Sequence, residues 1–163
     1  MTIANAKRER AGQAIVDAFC DALWLEDGLA KLTLAAYRRD LSLFNGWLRA
    51  RSGLLLTQVT EADLQAYFAE RHTQTRATTA NRRLTVFRRF YHWLLRERLI
   101  AIDPTARMLS ARQPLRVPKT LSEAEVDALL NAPDVGTALG LRDRAMLELM
   151  YASGLRVSEL VGL

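Results

Sequence analysis

The residues best suited to chemistry on a charged substrate lie near the end of the sequence, around Arg156. Gly154 indicates a turn that places Arg156 at the start of a helix, and Glu159 follows about one helical turn later. A guanidinium group stays protonated at any working pH, so an arginine that faces a cleft can stabilise charge developing on a phosphate. The same spacing fits a surface ion pair between Arg156 and Glu159, and spacing alone favours that pair.

Other groups that could take part in catalysis are scarce. Tyr151 is expected to be buried beside Leu147 and Met150, and a phenol with a pKa of about 10 needs activating neighbours that the sequence does not offer. The two histidines, His72 and His92, belong to no metal-ligand pattern, and no glycine-rich phosphate loop precedes a lysine. We therefore predict neither a metal nor a cofactor.

Positive charge is concentrated in one segment of the chain. The formal net charge is +5, and the stretch from Arg71 to Arg98 alone carries +7, with eight arginines against one acid. The remaining residues sum to −2. This uneven distribution indicates a nucleic-acid partner more strongly than the total charge does.

Residues 78–95 place that charge on one face of a predicted helix. The apolar side of the helix consists of Leu84, Phe87, Phe90, Tyr91, Leu94 and Leu95. The opposite side, named here the arginine stripe, consists of Thr78, Asn81, Arg82, Thr85, Arg88, Arg89 and His92. A solvated face would mix charges of both signs, whereas this stripe contains no acid. Guanidinium groups fit phosphates and guanine edges, asparagine fits adenine, and threonine fits phosphate, so the stripe predicts contact with duplex DNA. The aromatic rings are expected in the core rather than stacked on bases, with Trp93 undecided.

An earlier helix carries a weaker version of the same pattern. Its polar side consists of Arg38, Arg39, Ser42, Asn45 and Arg49, facing away from Tyr37, Leu41, Phe44 and Leu48. Taken alone, this face is equally compatible with solvent and with DNA. Two basic helices from one bundle could clamp a duplex, and the basic residues Arg112, Arg116 and Lys119 could follow its backbone.

The pattern of apolar residues predicts an all-α chain with no strands. Helices are expected at about residues 11–25, 34–51 with Thr33 as N-cap, 60–72, 78–97, 122–130, 139–152 and from 157. Thr60 with Asp63, and Ser122 with Glu125, have the spacing of capping boxes at two of these helix starts. We expect a DNA-clamp domain at residues 1–109, a linker at 110–120 and a second domain at 121–163. Leu163 lies in an apolar run without a helix stop signal, which predicts that the chain is the front part of a longer one.

Several segments resemble the tyrosine site-specific recombinases (the phage integrase family), and specifically their Xer type. The segment ASGLRVSELVGL around Arg156 resembles the first active-site box, and TLAAYRRDLSLF from Thr33 to Phe44 is similar to the core-binding signature. Residues 81–95, together with 103–104, resemble the family's fourth helix and the segment that leaves it. Residues 118–122 resemble the start of the family's catalytic domain. Residues 21–26 lean toward the XerD branch.

The resemblance implies a four-helix, SAM-like core-binding domain that clamps duplex DNA, followed by the start of a mainly α catalytic domain. Arg156 would be the first of two catalytic arginines on the scissile phosphate, and Glu159 would support its orientation. The DNA-binding set would be Thr33, Arg38, Arg39, Thr78, Asn81, Arg82, Thr85, Arg88, Arg89, His92, Arg116 and Lys119. The family attacks with a tyrosine and forms a 3′-phosphotyrosyl link, so it needs neither metal nor ATP. Because the family's remaining catalytic groups lie downstream, this chain is expected to bind DNA without cleaving it.

The same resemblance implies partners and a cellular role. They are a double-stranded recombination site, a partner Xer recombinase in a heterotetramer on DNA, and a DNA translocase as regulator. The role would be chromosome dimer resolution at cell division, in the cytoplasm, since no apolar run approaches the roughly 20 residues of a membrane span. One alternative is a non-enzymatic helical DNA-binding or regulatory module that shares only the bundle. A more distant one is an RNA or single-strand binder.

Overall fold

The computed structural model describes residues 3–72, 76–112 and 120–163, with side chains described from Arg10 onward except that of His72. The chain divides into two compact units, residues 1–114 and 115–163. The described residues form helices and no strands, which confirms the all-α prediction. Within the described part, no helix combines the length and apolar character that a bilayer crossing requires.

The first unit contains four helices and one short turn of 3-10 helix. The helices are α1 (Ile3–Asp27), α2 (Lys31–Arg51), α3 (Glu61–His72) and α4 (Ala77–Arg96), and the 3-10 turn is Leu56–Gln58. Helix α1 starts eight residues before the predicted start, because residues 4–10 contain two alanines and four charged residues with high intrinsic helix propensity, with Asn5 as the exception. That early part of α1 carries no apolar periodicity that could have predicted it.

Local capping signals set most of the other helix ends. Gly28 and Gly53 follow α1 and α2 with φ values of 61° and 69°, the left-handed conformation that glycine adopts without strain. Before α3, Thr60 and Asp63 form the predicted reciprocal cap, with Asp63 N donating to Thr60 Oγ1 at 3.3 Å and Thr60 N donating to Asp63 Oδ2 at 2.9 Å.

Thr33 is not an N-cap, so that prediction was wrong. Ala30 takes this position, and its carbonyl accepts hydrogen bonds from the backbone N–H groups of Thr33 (2.9 Å) and Leu34 (3.1 Å). Ala30 offers no side-chain cap. The helix starts two residues before Thr33 because Lys31 and Leu32 fit its first turn without a capping side chain.

The core of the first unit is rich in aromatic side chains from α1, α2, α3 and α4. The Phe44 ring on α2 lies 4.8 Å from Tyr67 of α3 and 4.9 Å from Phe87 of α4, while Phe19 of α1 packs edge-on against Phe90 of α4 at 5.3 Å. All five rings are fully buried. They fix the rotation of α4 about its own axis and therefore the direction in which its polar face points.

Gly12 on α1 leaves the space that the side-chain amide of Asn45 on α2 occupies. A Cβ atom at this position would lie 2.6 Å from the side-chain amide of Asn45, which is too close for any real contact. Asn45 is buried against α1, so the prediction that it lies on the polar face of α2 was wrong. Ser42, nearby on α2, also faces α1 and donates to Gln13 Oε1 at 3.0 Å.

The second unit consists of α5 (Glu123–Asn131), α6 (Ala138–Ser153) and α7 (Val157–Leu160). Ser122 and Glu125 form the predicted capping box of α5. Among the described residues of this unit, Leu160 is the one buried large apolar side chain, and ten others are exposed. The exposed side chains are Leu121, Leu129, Val135, Leu139, Leu141, Leu149, Tyr151, Val157, Val161 and Leu163.

Candidate nucleic-acid interface and arginine box

Helix α4 buries one face and presents the arginine stripe on the other. Leu84, Phe87, Phe90, Tyr91 and Leu94 are buried, which confirms their predicted core role. Trp93, undecided from the sequence, is half-buried and stacks on Phe90 with ring centroids 6.4 Å apart, so it belongs to the core margin. On the opposite face Thr78, Arg82, Thr85, Arg88 and His92 are exposed, while Asn81 and Arg89 are half-buried.

Two arginines of the stripe have acidic partners from other helices. Arg82 Nη1 lies 2.8 Å from Oδ2 of Asp40 on α2, and Arg89 pairs with Asp27 at the end of α1. Asp40 is only 2% exposed, and the buried Arg83 lies 3.6 Å from it through Nε. Arg82 therefore has a structural bond as well as an exposed guanidinium group.

A third arginine extends the stripe by about one turn beyond His92, and sequence reasoning missed it. Arg96 holds both carboxylate oxygens of Glu26, with two nitrogen-to-oxygen distances of 2.7 Å. This fork raises the pKa of the Arg96 guanidinium and lowers the pKa of the Glu26 carboxyl. The partners are separated by 70 residues in the sequence, so no local spacing could have revealed the pair.

A cleft of about 590 Å³ runs beside these pairs. Its lining contains the cationic or titratable side chains of Arg88, Arg89, His92 and Arg96 together with those of Glu26, Asp27 and Asp103. The remaining lining is Leu23, Trp93, Thr105 and Ala106. The cleft therefore combines four basic groups with carboxylates contributed by α1 and by the segment after α4.

Asn81 and Arg88 bind the backbone of the segment that follows α4. Asn81 Nδ2 donates to Ala111 O at 2.8 Å, and Asn81 Oδ1 accepts from Ala111 N at 2.8 Å. Arg88 Nη2 donates to Met108 O at 2.5 Å. These two bonds use one hydrogen of Nδ2 and one lone pair of Oδ1, so they give the Asn81 amide a positioning role without excluding a further contact through the same amide.

The polar face of α2 contributes less than the sequence suggested. Arg38 donates from Nε to Asp17 Oδ1 at 2.7 Å, and this hydrogen bond raises the pKa of the Arg38 guanidinium. Thr33 is half-buried within the first turn of α2. Arg39 is exposed and has no partner within the described residues, which leaves its guanidinium group available. Two further predicted contacts, Arg116 and Lys119, lie outside the described residues.

In the second unit, Arg156 stands at the N-terminus of α7. Gly154, with φ 68°, ends α6 and produces the predicted turn. The Arg156 side chain is 82% exposed, and its Nη1 lies 3.1 Å from Glu159 Oε1. Glu159 Oε2 also accepts a hydrogen bond from Arg156 N at 2.8 Å. The local pair favoured by spacing is therefore formed, and it fixes Glu159 against the start of the helix.

Tyr151 is exposed to 69%, so the prediction that it is buried was wrong. It lies on α6, which has no buried residue along its length. The pattern of apolar neighbours indicated burial, but α6 packs only against α5 and α7 in the described unit, and neither covers this face. An apolar periodicity shows which side of a helix could be buried, and covering it requires a packing partner.

A bundle with a basic polar face, followed by a second helical unit, defines the class as an all-α protein built of two units, with a basic helical bundle first. Residues 16–98 match the family description "Phage integrase, N-terminal SAM-like domain", and residues 119–163 match "Phage integrase family". The chain belongs to the phage integrase family. This confirms the family resemblance that its motifs carry.

Curated relatives show which members of the family are similar. The chain is 64% identical over 148 residues to the tyrosine recombinase XerD of Ralstonia nicotianae, 52% over 150 residues to that of Yersinia pestis, and 51% over 150 residues to that of Pseudomonas aeruginosa. Each alignment covers 91% of this chain and 48%, 50% and 50% of the respective relative. The chain therefore spans about half the length of the curated relatives it matches, and these relatives carry the name of the branch that residues 21–26 resemble.

Proposed function

We propose that this chain binds double-stranded DNA through the polar faces of α4 and α2, as the DNA-holding part of a site-specific tyrosine recombinase. The observation that carries the proposal is the arginine stripe, held outward by the fully buried Phe87 and Phe90. Exposed guanidinium groups at Arg39, Arg82 and Arg88 offer the chemistry that phosphates and guanine edges accept.

For the whole protein, we propose strand cleavage and rejoining through a 3′-phosphotyrosyl link. Arg156 would contact the scissile phosphate, and Glu159 would hold the start of α7 in place. Exposure of the guanidinium group supports this role because a phosphate could approach it directly. From the resemblance to the Xer type, we further propose a role in chromosome dimer resolution at cell division, in the cytoplasm, with a partner Xer recombinase in a heterotetramer and a DNA translocase as regulator.

A second candidate is a non-enzymatic helical DNA-binding or regulatory module. The observation that favours it is the Arg156–Glu159 pair, which gives Arg156 a local structural role without any substrate. Continuation of the coding frame past Leu163 into the family's downstream catalytic groups would support the recombinase, and a stop codon directly after Leu163 would favour the module. A covalent adduct between this chain and a nicked recombination site would contradict the expectation that the chain binds DNA without cleaving it. Competition with single-stranded DNA and RNA would test the more distant alternative.

The test of DNA holding is a gel-shift assay on duplex DNA with the variant Arg82→Ala/Arg89→Ala. Because Arg82 also pairs with the buried Asp40, each variant needs an unfolding curve to show that it is folded at the assay temperature. Arg39→Ala has no internal pair to lose in the described residues and serves as a second variant. Binding unaffected by all of these substitutions would overturn the assigned face.

A further inference from the structure

Two carboxylates at the end of α1 bind the arginines of α4 in the way that a phosphate would. Glu26 presents both oxygens to Nη1 and Nη2 of Arg96, and Asp27 Oδ2 binds Nη2 of Arg89. A carboxylate and a phosphate both accept paired hydrogen bonds from a guanidinium fork. The cleft that these four side chains line therefore already contains anionic occupants supplied by the protein itself.

We infer that Asp27 and Glu26 are internal competitors of the DNA backbone, and that a DNA phosphate displaces them from Arg89 and Arg96 on binding. This inference rests on the proposed DNA-binding function. On this inference, Asp27 and Glu26 lower the affinity of the arginine stripe for duplex DNA without contacting the DNA themselves. Arg96 joins the arginines that bind phosphates.

Displacement is feasible because the two ion pairs are accessible to solvent. The side chains of Arg89 and Asp27 are 37% and 42% exposed, and those of Arg96 and Glu26 are 49% and 48% exposed. Ion pairs at such exposure contribute little net stability, since water and salt screen them and both side chains lose freedom. A polyanion that offers several phosphates at once can therefore replace them.

An opposite interpretation is that the acids orient the arginines for DNA. The surroundings of Arg89 argue against it, because Tyr37 of α2 lies under the guanidinium group with 5.9 Å between Cζ and the ring centroid. This contact holds the group over the aromatic face whether or not Asp27 is bound. Once displaced, Asp27 and Glu26 remain beside the phosphates, where like-charge repulsion opposes binding further.

The experiment measures the affinity of the full chain for a fluorescently labelled duplex at one fixed salt concentration. Asp27→Asn is expected to bind roughly three- to fivefold tighter, the range that loss of a surface ion pair permits. The matched control is Asp21→Asn, which changes the net charge equally on the same helix and removes no bond seen in the described residues. In an Arg89→Gln background the effect of Asp27→Asn should disappear, because its competitor role requires that arginine.

Each outcome decides the matter. Internal competition is supported if Asp27→Asn binds tighter than Asp21→Asn and this gain disappears in the Arg89→Gln background. It is also supported if duplex binding appears only in Asp27→Asn or in Glu26→Gln/Asp27→Asn. Weaker binding by Asp27→Asn, or an effect equal to that of Asp21→Asn, overturns the inference while leaving DNA binding intact. Absence of duplex binding in the parent chain and in every acid variant overturns both the inference and the proposed function.

Discussion

Asn81 holds the backbone of Ala111 through both ends of its side-chain amide, with Nδ2 donating to the carbonyl and Oδ1 accepting from the N–H, each at 2.8 Å. The two residues are 30 positions apart. This pair fastens the segment that leaves the first unit to the helix that carries the arginine stripe. Asn81 was predicted to contact DNA, and the structure shows that its amide also binds the protein's own backbone.

The first prediction follows from that pair. Asn81→Ala removes both hydrogen bonds, so the Ala111 amide should exchange with deuterium about fivefold faster, as expected for a loss of about 1 kcal/mol. Asn81→Asp keeps an oxygen that can accept from Ala111 N, so it should retain most of the protection. Hydrogen–deuterium exchange measures both. Equal exchange in the parent and in Asn81→Ala would show that the amide does not anchor the segment.

The second prediction concerns the buried carboxylate of Asp40. Asp40→Asn leaves the buried Arg83 without its anionic neighbour, and loss of one partner from a buried pair typically costs about 3 kcal/mol or more. The matched control is Asp17→Asn, whose pair with Arg38 is about half exposed and should be worth less than about 1 kcal/mol. Urea unfolding of both variants measures the difference, and equal destabilisation would show that Asp40 is not a buried charge partner.

The sequence predicted features that depend on neighbouring residues, and it did not predict contacts between distant ones. Helix ends at Gly28, Thr60 and Ser122 depend on residues within one turn, so local patterns predicted them. The apolar face of α4 was predicted for the same reason. The partners of the arginine stripe were not predicted, because Asp40 and Asp27 lie 42 and 62 residues from the arginines they bind.

The remaining errors have a related physical origin. Asn45 belongs to the polar side of α2 by periodicity, but the absence of a Cβ at Gly12 lets α1 approach closely enough to bury it. Tyr151 is exposed because nothing in the described second unit covers its side of α6. Burial depends on which helices meet, and a single helix pattern contains no information about its neighbour.

The third prediction is a pH dependence at Glu26. Its hydrogen bonds from Arg96 lower the carboxyl pKa below the ordinary value. A folded-state pKa below the unfolded one means that the pair stabilises the fold above the unfolded pKa, and that this stabilisation is lost as pH falls through the folded pKa. In Arg96→Gln the Glu26 pKa should therefore rise toward that of an ordinary glutamate.

Carboxyl NMR titration measures this change and contains its own control. The pKa of Glu125 is also lowered, but by hydrogen bonds from the Ser122 backbone and hydroxyl in the second unit. Its titration should be identical in the parent and in Arg96→Gln. A Glu26 pKa that does not move in the variant would contradict the assigned cause.

The central claim is that the arginine stripe binds the phosphates of duplex DNA, and the salt dependence of binding tests it most directly. Each phosphate contact contributes about 0.9 to the slope of log affinity against log salt concentration. The stripe variant Arg82→Ala/Arg89→Ala should therefore flatten the slope by roughly 2 relative to the parent. The control Arg51→Ala removes a cation that pairs with Glu70, outside the predicted DNA-binding set, and should leave the slope unchanged. A parent slope near zero, or equal slopes in the stripe variant and the parent, would contradict the claim.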